Sequence, residues 1–327
     1  MQTAEEKLAV LEGADTALVT SSGMAATTTA LFGLLRPGDE VVCSAAIYGG
    51  TLHVIKDFLD RFGVSARFPA IAEWSAPERL IGPRTRVVWF ESPINPTLRC
   101  VDVRRVAAAC RERGVTSAID NTFASPINQQ PIALGIDLVM HSATKYLNGH
   151  SDVTAGALVG SAAIIDNLQA ARKLFGGILE PASAYALARG MKTLAVRIAR
   201  HNENAMRLAA WLEADGRISR VYYPGLPSHP DHEIARSQMR GFGGMVCFDV
   251  GGGYARACQV YDRFQIIKRA ASLGGTESIC SLPVLTSQYG LNDEQLAAAG
   301  VTRSMIRLSV GLEDVEDLIA DLDQALA

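Results

Sequence analysis

The chain has 327 residues, 48% of them hydrophobic and 20% charged, with a formal net charge of −3. This is the composition of a globular enzyme of about two domains, and without a long basic run it offers nucleic acid or an anionic membrane nothing to bind. MQTAEEKLAVLEG lacks the apolar core of a signal peptide, and no apolar run reaches the roughly 18 residues that a membrane span requires.

From the N-terminus, AEEKLAVLEG reads as a helix with no strand before it. Short β-branched runs then alternate with helical patterns. DTALVT precedes a helix over 24–35, EVVCSA a helix over 52–62, and VSARF a short helical stretch. RVVWFE leads to a helix over 103–113, and VTSAID and DLVMHS follow. Such alternation predicts a parallel sheet covered on both faces, with functional groups beyond the carboxyl ends of its strands. Glu91, Asp120 and Ser142 stand at those ends. The pattern changes after about Ala182. A long helix over 195–214 is followed by the strands RVYYPG, GGMVCFDVGGG and MIRLSVG and a final amphipathic helix, EDLIADLDQAL. We therefore expect an α/β large domain over 1–190 and a smaller α+β domain over 191–327.

The six cysteines form no CxxC pair and show no metal-ligand spacing, so we expect buried free thiols in a reducing cytoplasm and no metal.

Lys145 stands out. HSATKYLNGHSD packs a serine, a threonine and this lysine into four residues after an apolar run. An amine, a carboxylate and phosphate donors are what a pyridoxal phosphate site needs. Upstream, TSSGMAA places serine caps and Gly23 before a helix, so the N–H groups of Gly23 and Met24 are available to an anion; a capped helix without ligand fits the same residues. Ser142 and Thr144 add hydroxyls. Asp120 ends an apolar run and needs a partner there, which a protonated pyridine nitrogen supplies, although a turn aspartate is also consistent. Tyr48, between Ile47 and two glycines, is either a core tyrosine or a ring stacked on a ligand. Asn95 is a turn former before Pro96 or a hydrogen-bond partner of the cofactor. Arg307 in MIRLSVG needs either an internal salt bridge or a substrate carboxylate.

Taken in order, SSGMAA, YGGT, ESPxNP, DNTF, HSATKYLNGHSD, SLGGTES and RLSVGLED resemble the Cys/Met-metabolism family of pyridoxal-phosphate enzymes. This transsulfuration group includes cystathionine γ-synthase, cystathionine lyases, methionine γ-lyase and homoserine-ester sulfhydrylases. The resemblance runs from residue 4 to the C-terminus. It implies a type I, aspartate-aminotransferase-like large domain with a smaller C-terminal domain, a homotetramer built as a dimer of dimers, and a small amino-acid substrate. It also implies that Lys145 is the Schiff-base lysine, Asp120 the pyridinium partner and Tyr48 the ring-stacking tyrosine that assists the leaving group. Gly23, Met24, Ser142 and Thr144 match the phosphate cradle, Asn95 the ring-oxygen contact, and Ser272 and Arg307 the surroundings of the substrate carboxylate.

Departures shape the expected activity. Relatives carry an N-terminal arm whose tyrosine and arginine reach a neighbouring subunit's phosphate. The arm is not present here, and each lost contact is worth roughly 1.5–3 kcal/mol, so weak cofactor binding, or a non-catalytic remnant, follows as one expectation. Ala271 stands where cystathionine-handling enzymes often carry glutamate, and Gly50 where many methionine γ-lyases have cysteine. KYLNGHSDVTAG reads closer to the lyases. The expectation is a carbon–sulfur lyase working by γ-elimination on methionine, cystathionine or homocysteine, with γ-replacement as the alternative.

Overall fold

The computed structural model describes all residues, Met1–Ala327, and the chain divides into two compact units. The first comprises Met1–Pro93 and Val101–Leu194, the second Ile94–Cys100 and Ala195–Ala327. The change of pattern expected at 190/191 thus falls at 194/195. The short segment Ile94–Cys100, read from sequence as part of the first domain, groups with the second unit. Its anchor is a buried carboxylate: Asp231 accepts from Arg99 Nε and Nη2 at 2.5 and 3.1 Å and from the Cys100 N–H at 2.9 Å.

Seven strands build the sheet of the first unit: β1 (Thr16–Thr20), β2 (Glu40–Cys43), β3 (Ser65–Arg67), β4 (Thr85–Glu91), β5 (Thr116–Asp120), β6 (Leu138–His141) and β7 (Gly156–Gly160). Their order is β1-β7-β6-β5-β4-β2-β3. β2 to β6 run parallel, and β7 lies antiparallel between β6 and β1. The all-parallel expectation therefore fails at β7, whose three apolar residues between two glycines give too little pattern to read. Val87–Phe90 are buried in succession, as strands covered on both faces must be.

Helices α1 (Gln2–Glu12), α2 (Gly23–Leu34), α3 (Gly49–His53), α4 (Val103–Arg113), α5 (Ser125–Asn128), α6 (Ala162–Phe175) and α7 (Pro181–Gly190) cover this sheet. Local chemistry sets their ends. Asp102 caps α4 by accepting the Arg105 N–H at 3.0 Å, and Gly114 closes it at φ 62°. The helix expected over 52–62 is regular only through α3 and then continues as a looser π turn over Val54–Phe58 and a tighter 3₁₀ turn over Leu59–Phe62, where the β-branched pair Val54–Ile55 lowers helix propensity. Leu18, Val41, Trp89, Leu138 and Leu158 from the strands meet Leu31, Ile165 and Leu168 in the core.

The second unit opens with α8 (Leu194–Ala214) and continues through β8 (Arg220–Tyr222), α9 (His232–Gln238), β9 (Met245–Asp249), α10 (Gly253–Arg263), β10 (Lys268–Arg269) and β11 (Ile279–Ser281). α11 (Asp293–Ala298), β12 (Met305–Ser309) and α12 (Val315–Leu326) complete it. Its sheet has the order β10-β11-β12-β9-β8, antiparallel except for β10 with β11. Leu208 and Leu212 from α8, Phe248, Ile306 and Leu308 from the strands, and Leu318 and Leu322 from α12 form its core. No helix of the protein is long and apolar enough to cross a membrane.

Candidate active site

In the first unit the residues singled out from sequence gather at the carboxyl ends of β5 and β6 and at the start of α2. Ser22 caps α2 through its hydroxyl, which accepts the Ala25 N–H at 3.0 Å. The N–H groups of Gly23 and Met24 belong to the first turn and have no intrahelical acceptor. They carry the positive end of the helix dipole. A Cβ built on Gly23 would lie 3.0 Å from both Cβ and Oγ of Ser142. Only the missing side chain lets the end of β6 approach the helix so closely, and Ser142 Oγ is thereby held beside the first turn.

Ser142 is tied in turn to Asp120. The Ser142 N–H donates to Thr122 Oγ1 at 2.8 Å, and Thr122 donates to Asp120 Oδ1 through its hydroxyl at 2.5 Å and its N–H at 3.0 Å. Asp120 keeps some access to solvent, yet enough protein surrounds it for burial to push its carboxyl above the ordinary range, against the pull of the Thr122 donors and of His141. Such a carboxylate gains from a cationic partner.

Lys145 lies in the turn that joins β6 to β7 and is partly buried. Its N–H donates to Ser142 O at 3.1 Å and its carbonyl accepts the Gly149 N–H at 2.8 Å. The next residues, Tyr146 and Leu147, are 1% and 2% exposed and pin the turn. Thr144 also serves the turn itself. Its hydroxyl donates to Ala155 O at 3.1 Å and accepts the Ala155 N–H at 3.0 Å, so it fastens the turn to the strand entry.

Tyr48 is the residue before α3, and its N–H donates to Glu91 Oε1 at 2.6 Å. Glu91, 5% exposed at the end of β4, fixes the backbone there. The Tyr48 ring is half exposed, which excludes the reading as a core tyrosine. The ring and the Met24 thioether both lie over Gly50, where a Cβ would come within 2.6 Å of Tyr48 Cε1 and 2.9 Å of Met24 Sδ.

The second unit holds the other cluster. Arg307 on β12 is 7% exposed and sits between Cys247 of β9 and Ser281 of β11 in the ladder. Its guanidinium donates to Asn95 Oδ1 at 3.1 Å and to the Ser272 carbonyl at 3.1 Å. Ser272 has φ 124°, a conformation that side chains rarely adopt, and that turns its carbonyl to Arg307. Asn95 and Ser272 thus orient the fork through neutral acceptors.

Three participants were not singled out by role from sequence: Thr122, Glu91 and His141. DNTF carries a signal for the first, since a hydroxyl two residues after an aspartate bonds back to it. Glu91 was legible as a polar strand end. His141 was hidden by lying within an apolar strand.

The donor set fits pyridoxal phosphate: N–H groups at a helix start and a hydroxyl for the phosphate, a carboxylate for the ring nitrogen, and a lysine on a pinned turn. Comparison with known proteins agrees. The chain is 43% identical over 324 residues to L-methionine gamma-lyase of Pseudomonas putida, covering 98% of this chain and 81% of that protein. It is 42% identical over 323 residues to the chloroplastic cystathionine gamma-synthase 1 of Arabidopsis thaliana, covering 98% of this chain and 57% of that one. The crystal structure of metB from Corynebacterium glutamicum superposes with a TM-score of 0.93 at 39% identity, over 99% of this chain and 83% of its own. The fold is therefore that of the type I pyridoxal-phosphate enzymes. The family model for Cys/Met metabolism PLP-dependent enzymes matches residues 1–327, and the chain belongs to that family.

Proposed function

We propose that this PLP-dependent enzyme is a carbon–sulfur lyase that eliminates the γ-substituent of methionine or a related sulfur amino acid. The observation that carries the reading is the hydrogen-bonded chain Ser142–Thr122–Asp120 set between the open first turn of α2 and the Lys145 turn. When bound, the cofactor supplies an electron sink for charge developing at the substrate Cα.

In this reading Lys145 Nζ would hold the cofactor aldehyde; as a free amine it takes the proton from the substrate Cα, a second proton is removed from Cβ so that the Cγ–S bond can break, and a proton is later returned at Cγ. Asp120 keeps a proton on the ring nitrogen. The N–H groups of Gly23 and Met24 with Ser142 Oγ hold the phosphate, and Thr144 supports them by fixing the turn. Tyr48 stacks on the ring and gives its phenol proton to the departing sulfur. Arg307, oriented by Asn95 and Ser272, binds the substrate α-carboxylate as a bidentate fork. Ala271 is exposed and offers no charge to a distal amino group, which favours a short apolar substrate such as methionine over cystathionine.

A second reading is γ-replacement, favoured by the similarity to cystathionine gamma-synthase and to metB. Product analysis tests both. Methionine, cystathionine, cysteine, O-acetylhomoserine and O-succinylhomoserine would each be supplied with and without a thiol. A 2-oxo acid and ammonia from methionine without thiol is the outcome expected of the lyase; a new thioether formed only with thiol and an acylated homoserine would replace it with the second reading. We further infer a homo-oligomer, supported by the exposed Phe62, Leu174, Phe175 and Tyr185, and a reducing cytoplasmic setting, supported by five buried free cysteines and a sixth partly buried one.

A further inference from the structure

Arg307 has a neighbour that the chemistry above does not use. Ser281 on β11 pairs directly with Arg307 on β12, and Cys247 on β9 pairs with it from the other side. Directly paired residues of antiparallel strands present their side chains on one face, with Cβ atoms about 4.5–5.5 Å apart. Ser281 is 2% exposed, and its hydroxyl oxygen is buried without a hydrogen-bond partner. Ser309 stands two residues along β12 from Arg307, hence on the same face. It is buried too, but its Oγ accepts the Gly274 N–H at 2.9 Å.

The chain from Ala270 to Gly274 closes over this face. The Ala270 N–H donates to Cys280 O at 3.0 Å on β11, and the Gly274 N–H reaches Ser309 on β12, so Ser272, midway between them, is carried across the strand that holds Ser281. The Arg307 guanidinium meets the Ser272 carbonyl at 3.1 Å, which holds it in the layer over Ser281. A neighbour needed only to leave room for the arginine stem has no use for a hydroxyl. Cys247 shows the suitable type, since a buried thiol behaves as a small hydrophobe. A hydroxyl without a partner loses its bonds to water and destabilises the fold, and such a group in a native protein calls for a reason. Here the reason faces it. A guanidinium carries five N–H donors, and Asn95 Oδ1 and Ser272 O each accept from it. The Ser281 oxygen is the acceptor on this face that has no donor of its own.

We propose that Ser281 is a positioning residue for Arg307: its Oγ accepts a guanidinium N–H when the fork turns to a substrate α-carboxylate, and so fixes the fork in its binding orientation. The proposal rests on the reading of Arg307 as the carboxylate site. Ser281 does not itself touch the substrate, because its oxygen is buried. The unmatched hydroxyl lowers the stability of the fold and gains its partner only in the binding orientation, a trade of stability for function.

The test titrates the enzyme loaded with pyridoxal phosphate, whose visible absorbance reports occupancy. Glycine has an α-carboxylate and no γ-substituent to lose; methylamine has no carboxylate. Ser281→Ala should weaken glycine binding roughly tenfold, the scale of one hydrogen bond to a charged group. It should leave methylamine binding unchanged and the melting temperature equal to or above the parent's. Ser281→Cys keeps the volume and offers only a weak acceptor; it should weaken glycine in the same way, and it decides the matter should the alanine variant not fold. Arg307→Leu is the control for the underlying reading. If it weakens glycine while neither Ser281 variant does, or if the Ser281 variants weaken glycine and methylamine alike, Ser281 serves only the fold and the proposal is overturned. If Arg307→Leu itself leaves glycine binding unchanged, the assignment of Arg307 falls, and the proposal with it.

Discussion

In the proposed reading the chemistry depends on one amine, that of Lys145, and the surrounding residues decide whether that amine is well placed. Tyr146 and Leu147 are buried on one side and Thr144 is locked to Ala155 on the other, so the side chain is presented from a rigid turn. Lys145→Ala should abolish covalent capture of the cofactor while leaving the melting temperature of the cofactor-free protein within about a degree or two, since a partly exposed side chain contributes little to stability. Borohydride reduction followed by peptide mass mapping checks this; label retained elsewhere would contradict it. Arg307 is the second such residue. Replacing it by lysine keeps the charge and loses the planar fork, so KM for an amino-acid substrate should rise roughly tenfold or more, in line with about 1.5–3 kcal/mol for hydrogen bonds to a charged group. An unchanged KM in steady-state assays would remove Arg307 from substrate binding. Arg307 was legible in the sequence because a cation between apolar strand neighbours is a conflict that demands a reason, and Lys145 because a serine, a threonine and a lysine crowd together after an apolar run. Thr122 and His141 were not, because a threonine in a turn and a histidine in a strand conflict with nothing.

The start of α2 shows how an element makes a site. Its three ingredients are a serine cap, a glycine as the first helical residue and a neighbouring strand end close enough to add a hydroxyl. Ser22→Ala removes the cap, so the helix should lose about 1 kcal/mol. The same change should weaken phosphate binding, since the N–H groups of the first turn would fray away from a common direction. Denaturant unfolding measures the first effect and titration with inorganic phosphate the second; a stability loss with phosphate affinity unchanged would show that the cap serves only the helix. The strands flanking this helix were readable from their β-branched runs, and the crossovers from the alternation. β7 was not, and its antiparallel course is what brings Gly156 to α2: a Cβ there would stand 2.1 Å from Ser22 O. Only the pairing with β1 and β6 reveals that closeness; the short run Gly156–Gly160 does not announce it.

Across the molecule the charge balance changes with pH in a defined direction. His201 and His229 in the second unit are buried, 0% and 4% exposed, and burial holds both imidazoles down to about 4. His201 in addition donates from Nδ1 to Val310 O. A histidine kept neutral in the fold but titrating near 6.5 when unfolded takes up protons preferentially in the unfolded state between those values. The stability they contribute is complete above about 6.5 and is lost as pH falls toward 4. Thermal melts over that window should show a falling midpoint, and His201→Gln should flatten the slope. Parallel slopes for the two proteins would assign the effect to other groups.

The smaller α+β unit was legible from sequence in outline, from α8, β9, β12 and α12. What sequence could not tell is that Ile94–Cys100 leaves the first unit's run of chain to join it, for the partner that draws it there, Asp231, lies more than a hundred residues later. On a ribosome this has a temporal meaning. The segment emerges long before the carboxylate that will receive Arg99 exists, and it must wait, solvated, while β5 to β7 and α8 are made. The second unit therefore cannot be a self-sufficient fragment: residues 195–327 expressed alone should fold poorly and recover when a peptide spanning 94–100 is supplied, and Asp231→Asn should cancel that rescue.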